Sequence, residues 1–417
     1  MTMTKRSLLK SGLAAAIALG ALSSAAAAEE LSALFMSQAA YSESDVRAMT
    51  AAFEKANPGT TVKLEFVPYE ALYDKIVASK AAGSAGYDVV LYDVIWPANF
   101  AENGVLADVT DKVAAMDKSQ VFDGAWATVT YGGKYYGMPW ILDTKYLFYN
   151  TEMLQKAGIS APPKTWAELN DQAKIIKDKG LVQYPIVWSW SQAEAVVCDY
   201  TTLTAAFQGE FFKDGKPAFD KGGSLDAVKY MVDSLKSGLS NPNSKEYLEE
   251  DVRKVFSAGD AAFALNWTYM YQMAQKPEES KVVGKVGVVP APGVAGKTQA
   301  SAVNGSMGLG ITASSTKKDL AWKYIAYMTS QPVQNQYAQL SLPIWKSSYT
   351  DPAVTKGQEP VVAAADVSIG IMASRPQSTS YPELSTLLQT AIQNALTGKA
   401  TPEAALADAA AAAARIR

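Results

Sequence analysis

Apolar strands and amphipathic helices alternate through the first hundred residues of the chain. Leu31–Met36 is a short apolar run, and Ser44 then precedes apolar residues at helical spacing that stop at Asn57-Pro58-Gly59. A second strand is predicted over 62–66, a second helix over about 70–82 and a buried strand over 87–92. This order is typical of a largely parallel sheet covered by helices.

The pattern changes after residue 129 and later returns to the same α/β order. Gly132-Gly133 predicts a hairpin turn, and Thr165 with Glu168 has the spacing of a capping box. Further on, the pattern predicts helices near 192–208, 224–237, 247–258 and 317–329, strands over 147–149, 185–190, 261–266, 286–289 and 307–312, and a Pro/Gly loop over 290–296. No linker separates two continuous halves. We therefore expect two α/β lobes joined by several crossings of the chain.

The first 28 residues have the organisation of a secretory signal peptide. Lys5, Arg6 and Lys10 precede a short apolar run over 13–21, and Ala26-Ala27-Ala28 offers a small-residue cleavage site. The run is too short to span a bilayer as a helix. We therefore expect an exported protein of a bacterial periplasm, cleaved before Glu29.

Composition removes several classes of chemistry. The chain has no histidine and a single cysteine, Cys198, which excludes Ser-His-Asp and Cys-His mechanisms, imidazole zinc sites and an intrachain disulfide. Its 38 Lys and Arg against 41 Asp and Glu give a formal charge of −3 without a basic cluster, so nucleic acid is not an expected partner. We expect no metal and no cofactor.

Aromatic and hydrogen-bonding side chains recur just after the predicted strands. In open α/β sheets, ligands bind beyond the carboxyl ends of strands. Such residue types suit a sugar, which offers a C–H face to aromatic rings and a rim of hydroxyls that both donate and accept. The candidate ligand-binding residues are Gln38, Tyr41, Ser42, Asp93, Trp96, Trp140, Asp143, Trp190, Gln192, Trp267, Tyr269, Asn304, Gly305, Ser306 and Arg375.

Several blocks along the chain carry a resemblance to one protein family. They are Ala52–Gly59, Tyr87–Val90, Tyr135–Trp140 with Asp143-Thr144, Leu147–Asn150, Phe256–Ala262 with Asn266-Trp267, Gly308–Ile311, and Arg375-Pro376 with Tyr381–Glu383. In this order they resemble the sugar-binding proteins of bacterial ABC importers, the solute-binding family 1 that includes maltose- and trehalose-binding proteins.

The resemblance implies an α/β, two-lobed periplasmic binding protein fold, each lobe a mainly parallel sheet flanked by helices, joined by a multi-strand hinge. Residues 29–139 and 301–338 would form the N-terminal lobe, and 140–300 with 339–417 the C-terminal lobe. The family captures a solute by lobe closure and delivers it to the transmembrane subunits of an ABC permease. The resemblance therefore implies a monomeric binding protein that is not an enzyme.

The resemblance also suggests cleft positions and a ligand. Gln38, Asp93, Trp140, Asp143, Trp267, Gly305 and Arg375 match cleft positions of the family. A tryptophan often found before the strand at 307 is replaced by Ser306 or Met307, which argues against a plain maltodextrin. Some members bind sulfoquinovosyl glycerol, whose sulfonate would need Arg375 or the hydroxyls of Ser42, Ser44 and 301–306. A sulfonated glycoside and a neutral disaccharide such as trehalose both remain open.

Two other functions fit some of the same residues. A secreted glycoside hydrolase would need two carboxylates across the scissile bond, and Asp93, Asp143 and Glu194 are the available acids. An iron-binding protein would use neighbouring tyrosines, and Tyr135-Tyr136 is such a pair. We interpret that pair as part of the core and hinge, because it lies in a block shared with the sugar-binding family.

Overall fold

The strands carry the two sheets that position the rest of the chain. A computed structural model describes residues 29–37, 40–83 and 86–416, so the signal-peptide prediction and Gln38 lie outside the described residues. The strands in this part are β1 (Glu29–Met36), β2 (Thr60–Val67), β3 (Val89–Asp93), β4 (Thr130–Tyr131), β5 (Lys134–Tyr135), β6 (Met138–Ile141), β7 (Tyr146–Asn150), β8 (Ile186–Val187), β9 (Phe212–Lys213), β10 (Lys216–Pro217), β11 (Phe263–Asn266), β12 (Val286–Val294), β13 (Thr298–Ser301) and β14 (Met307–Ile311).

Helices cover both sheets. They are α1 (Glu43–Ala56), α2 (Tyr69–Ala81), α3 (Pro97–Glu102), α4 (Thr110–Ala114), α5 (Asp123–Ala127), α6 (Thr151–Ala157), α7 (Trp166–Asp178), α8 (Glu194–Ala206), α9 (Gly222–Lys236), α10 (Glu249–Ser257), α11 (Tyr269–Ala274), α12 (Lys318–Met328), α13 (Gln331–Gln336), α14 (Pro352–Thr355), α15 (Glu359–Ser368), α16 (Tyr381–Leu396) and α17 (Pro402–Ala413). Short 3₁₀ helices lie at Lys118–Gln120, Pro242–Glu246, Lys346–Thr350 and Ile369–Ile371.

The first lobe is built on a mixed five-stranded sheet in the order β2-β1-β3-β14-β6. β1 pairs in parallel with β2 and β3, whereas β14 runs antiparallel to both β3 and β6. All five residues of β3, Val89–Asp93, are buried, as expected of a central strand covered on both faces. α1, α2 and α12 pack on this sheet, so the predicted βαβ order of the first third is confirmed.

The second lobe corrects the expectation of a mainly parallel sheet. Its order is β13-β12-β7-β11-β8, and only β11 with β8 is a parallel pair. β12 continues through Pro290 and Pro292 to Val294, where a loop was predicted, because β13 folds back on it as a hairpin. The predicted strand 185–190 is reduced to Ile186–Val187, since the following backbone bonds the loop around Ser244 instead.

The two lobes are joined by adjacent crossings of the chain. Residues 142–145 lead from β6 of the first sheet to β7 of the second, and 302–306 return from β13 to β14. The crossings are hydrogen-bonded together: the Gly305 N–H donates to the Asp143 carbonyl at 3.0 Å, and the Val303 N–H to the Thr144 hydroxyl at 3.2 Å. The expected lobe boundaries at 139/140 and 300/301 thus fall inside β6 and β13. The two-lobed α/β fold itself is confirmed.

At the starts of α1 and α7, the observed caps differ in detail from the predicted ones. α1 is capped by Ser42 rather than Ser44, and Ser42 forms a capping box with Asp45. The Thr165 hydroxyl accepts from the Glu168 N–H at 3.1 Å as predicted, but the Glu168 carboxylate accepts from the N–H of Lys164 rather than of Thr165. Both arrangements satisfy backbone donors that a helix start leaves free.

Candidate functional site

A cavity of about 450 Å³ lies between the two lobes, where the crossings form its floor. The first lobe contributes Asp93 at the end of β3, Trp96 beyond it, and the face of α2 with Tyr69. From the second lobe come the start of α8, the loop after β11 and the first turns of α16. Both half-sites therefore meet only when the lobes lie together.

Seven of the residues predicted to bind ligand lie in the wall of this cavity. They are Asp93, Trp96, Asp143, Gln192, Trp267, Gly305 and Arg375. Asp93 ends β3, Trp267 directly follows β11, and Gln192 lies five residues beyond β8. Asp143 and Gly305 belong to the two crossings.

Seven others lie outside the cavity wall, for reasons visible in their contacts. Trp140 points into the first-lobe core, where its ring centroid is 4.7 Å from that of Tyr41, and Trp190 stacks on Trp188 at 4.8 Å in the second lobe. Ser42 caps α1 and Asn304 bonds the Gly124 carbonyl. The remaining members of this group are the buried Tyr269 and Ser306, and Tyr41 itself.

Arg375 connects the two lobes at the centre of the cavity. The residue is 2 % exposed, and its guanidinium donates to Asp93 of the first lobe at 3.0 Å and to Glu194 of the second at 2.7 Å. It also donates to the Asn304 carbonyl at 3.3 Å. Burial opposes its charge, but the neighbouring carboxylates more than compensate and raise the pKa of the guanidinium further above its usual range.

Tyrosines complete the hydrogen bonding of these two acids. The Tyr69 hydroxyl donates to Asp93 at 3.1 Å, and the Tyr381 hydroxyl donates to Glu194 at 2.5 Å. Ser385, one turn after Tyr381 on α16, donates to the other oxygen of Glu194. Each carboxylate is thus held in one orientation by a charged and a neutral donor.

Several cavity residues were missed at the level of sequence. Tyr69 and Tyr73 lie four residues apart on α2, and Tyr381 and Ser385 lie four apart on α16, so each pair shares one helix face. That spacing is a weak signal, because it equally describes a helix face buried in the core. Glu249, the first residue of α10, had no distinguishing pattern.

Acidic side chains dominate the charged lining. Carboxyl groups come from Glu70, Asp74, Asp93, Asp143, Glu194 and Glu249, whereas Arg375 is the one cation among the lining residues that the structure describes. The hydroxyls once considered for a sulfonate are engaged elsewhere: Ser42 and Ser44 bond each other at 2.8 Å, and Ser301 bonds the Pro292 carbonyl. An anionic ligand would therefore meet uncompensated negative charge.

Asp143 is the carboxyl most affected by burial. Burial raises the pKa of Asp143 to about 7, while hydrogen bonds from Thr268 and Thr144 favour the charged form and limit the rise. The Thr268 hydroxyl donates to it at 2.6 Å and the Thr144 N–H at 2.9 Å. The folded protein therefore keeps a proton on Asp143 at pH values where the unfolded chain has lost it.

The proton on Asp143 makes the free energy of unfolding depend on pH, and Asp143→Asn should remove this dependence. Between pH 4 and pH 7 the folded state binds more protons than the unfolded state, so stability falls as pH rises through this window. The free energy of unfolding of the variant minus that of the wild type should become more positive by on the order of 2–3 kcal/mol from pH 5 to pH 8. Urea unfolding at both pH values measures it. An unchanged difference would show that Asp143 is ionised at pH 5.

Trp267 is the aromatic face nearest the crossings. Its indole lies against Gly305, where a Cβ atom would overlap the six-membered ring. The backbone at Gly305 has no left-handed conformation, so contact with the ring, rather than backbone geometry, requires glycine here. The Trp267 Nε1 donates to Glu249 at 3.2 Å, which orients the ring.

Other chemistry is limited among the described residues. No group of three or more Cys, Asp and Glu side chains there could hold a metal ion, and Tyr135-Tyr136 does not line the cavity. Cys198 lines the cavity but is buried, and burial raises the pKa of its thiol. In the described part, no helix combines the length and apolar character needed to cross a membrane.

Comparison with known proteins supports the two-lobed fold. A protein of Deinococcus radiodurans named "Probable ABC transporter-binding protein" is 31% identical over 365 residues, covering 84% of each chain. The maltose-bound structure of T. maritima MalE3 is similar with a TM-score of 0.86 and 29% identity, covering 92% of this chain and 99% of that one. A solute-binding protein from Agrobacterium radiobacter K84 in complex with ribitol has a TM-score of 0.84 at 25% identity, covering 93% and 99%.

The family model that matches is described as bacterial extracellular solute-binding protein, and it spans residues 39–335. That range includes the second sheet, the first sheet apart from β1 (Glu29–Met36), and the two crossings that form the cavity floor. Arg375 and α16, which complete the cavity, lie beyond it, within the fold shared with the solved structures. The chain therefore belongs to the bacterial extracellular solute-binding proteins.

Proposed function

We propose that this protein captures a neutral sugar or polyol between its lobes and delivers it to the membrane subunits of an ABC importer. The observation that carries the proposal is the cavity itself, in which aromatic faces alternate with oriented carboxylates, an amide and a guanidinium. Trp96 and Trp267 offer surfaces for C–H faces, while Asp93, Gln192 and Arg375 can pair with hydroxyls. The similar structures hold maltose and ribitol, both neutral polyhydroxylated ligands.

Charge argues for a neutral ligand over sulfoquinovosyl glycerol. Arg375, the cation that would bind a sulfonate, already bonds Asp93 and Glu194. Its single positive charge faces the two carboxylates of Asp93 and Glu194, so an added anion there would meet net negative charge. A unit charge 4 Å from another contributes roughly 4 kcal/mol at an effective dielectric constant of 20, which strongly disfavours such an anion. Hydroxyls, in contrast, can donate to those carboxylates without a charge penalty.

Closure supplies the mechanism of capture. In the open form, a ligand would meet the donors and acceptors of only one lobe. Because the closed form offers those of both lobes, the ligand binds it more tightly and shifts the population toward it. The paired crossings at 142–145 and 302–306 provide a place for the bend. The proposal includes a periplasmic location, a monomeric chain and no catalysis.

Isothermal titration calorimetry with matched ligands tests the proposal. The panel contains maltose, trehalose, ribitol and one pair that differs in charge, glucosyl glycerol and sulfoquinovosyl glycerol. We expect one-to-one heat with at least one neutral member, and at least about hundredfold weaker binding of the sulfonated partner than of its neutral counterpart.

Two outcomes would count against it. Tighter binding of sulfoquinovosyl glycerol than of glucosyl glycerol would overturn the neutral ligand and return Arg375 to the role of a sulfonate receptor. Absence of heat with every neutral member would contradict the proposed ligand class while leaving the family assignment in place.

A further inference from the structure

A fully buried cation lies behind the cavity wall at Lys145. Its Nζ is 2.6 Å from Asp199, 2.9 Å from the hydroxyl of Ser189 and 3.1 Å from Glu249, and the side chains of Lys145 and Asp199 are completely buried. The same Nζ lies 5.0 Å from the ring centroid of Trp267. The cluster therefore joins the first crossing to α8, α10 and the loop after β11.

Two of the residues that Lys145 contacts belong to the cavity wall, whereas Lys145 itself does not. Glu249 and Trp267 line the cavity, whereas Lys145, Asp199 and Ser189 are behind it. One oxygen of Glu249, Oε1, accepts a hydrogen bond from the Trp267 Nε1 and forms an ion pair with Lys145. Lys145 thus contacts the ring face and the carboxylate that orients the ring edge.

We infer that Lys145 is a positioning residue for ligand binding, which fixes the Trp267 indole and the Glu249 carboxylate without touching the ligand. The expected effect on ligand affinity rests on the proposed function, whereas the contacts of Lys145 with Trp267 and Glu249 do not depend on it. A purely structural lysine would need only Asp199 to balance its charge. The additional contacts of Lys145 are with Glu249 and the Trp267 indole, which line the cavity, so its charge stabilises the position of two groups of the ligand site.

The charge on Lys145 is kept by its surroundings. Burial opposes protonation, but Asp199 and Glu249 more than compensate and raise the pKa of the ammonium. The contact with Trp267 is therefore cationic at all pH values at which the protein would work. Because Lys145 follows Asp143 by two residues on the same crossing, the cluster also ties the stacking face to the hinge.

The test replaces the buried pair while keeping its volume. Lys145→Met combined with Asp199→Leu removes both fully buried charges together, so that Asp199 is not left buried without its cation, while Glu249 keeps a partly exposed side chain. Acrylamide quenching of Trp267 is obtained as the difference between each protein and the same protein with Trp267→Phe. We expect the Trp267 quenching constant to rise at least about twofold and the affinity for the tightest neutral ligand to fall at least about tenfold.

Arg253→Met is the matched control. Like Glu249, Arg253 lies on α10. It pairs with Glu250 at 2.6 Å and with Glu279 at 3.0 Å, but none of these three residues lines the cavity. Loss of this ion pair should leave Trp267 quenching unchanged. Glu249→Gln, at a partly exposed side chain, gives a second route that does not depend on folding of the double variant and should raise the quenching constant by a smaller factor.

The outcomes separate this inference from the proposed function. Quenching is measured without ligand, so unchanged Trp267 quenching in both the double variant and Glu249→Gln overturns the positioning role whatever the protein binds. Equal increases in Arg253→Met would overturn it too, because general loosening of α10 would then explain the effect. Raised quenching with unchanged sugar affinity would also overturn it, since Trp267 would then not support the ligand.

Discussion

Replacing Arg375 with methionine is expected to lower the free energy of unfolding by about 3–5 kcal/mol and to abolish ligand binding. The substitution keeps an apolar stem but leaves Asp93 and Glu194 facing each other in a buried site without their shared cation. Because those acids come from different lobes, their repulsion also opposes closure. Urea unfolding and calorimetric titration measure the two effects.

Arg47→Met is the control for loss of an arginine ion pair. Arg47 and Glu43 lie 3.6 Å apart on α1 with side chains about half exposed, so their removal should cost less than about 1 kcal/mol. Equal losses of stability in the two variants would contradict the buried network at Arg375. Retained binding by Arg375→Met would show that the ligand does not use this part of the cavity.

The second large effect is expected from a single added methyl group. Gly305→Ala places a Cβ atom where the Trp267 ring lies, and backbone at the crossing cannot yield easily because the Gly305 N–H bonds the Asp143 carbonyl. The ring must therefore move out of its position in the cavity wall. We expect at least about hundredfold weaker binding and a loss of about 1–3 kcal/mol in stability.

Gly370→Ala is the matched control for this change. A Cβ atom at Gly370 meets no atom within 4 Å, and its backbone is not in the left-handed region. The control should bind ligand as the wild type does. A Gly305→Ala protein that binds normally would mean that Trp267 can move without consequence and is not a stacking surface for the ligand.

Much of the fold could be predicted because local patterns decide it. The buried strand β3 and the helices α8, α9, α10 and α12 were all predicted near their observed positions. Pairing direction could not be predicted in the second lobe, since β7 arrives from the other lobe and β12 pairs with it across more than a hundred residues of chain. Such long-range pairing leaves no local signal.

The site was predictable where a strand end determines it. Asp93 is the last residue of the buried strand β3, Trp267 directly follows the buried strand β11, and both lie in the cavity wall. Trp140 lies inside β6 and Trp190 three residues beyond β8, and both side chains turn into the cores of the two lobes. Successive side chains on an extended chain point to opposite faces, so nearness to a strand end does not by itself place a side chain in the cavity. The α2 and α16 faces depend on how whole helices pack, which the sequence pattern does not specify.

The central claim is that a neutral carbohydrate binds in the cavity between the lobes, against Trp267. Its most direct test is calorimetric titration of the whole panel, including its sulfonated member, into the wild-type and Gly305→Ala proteins side by side. We predict one-to-one binding to the wild type that is lost or at least about hundredfold weaker in the variant. Equal binding to both proteins, or a wild type that binds only the sulfonated ligand, would contradict the account.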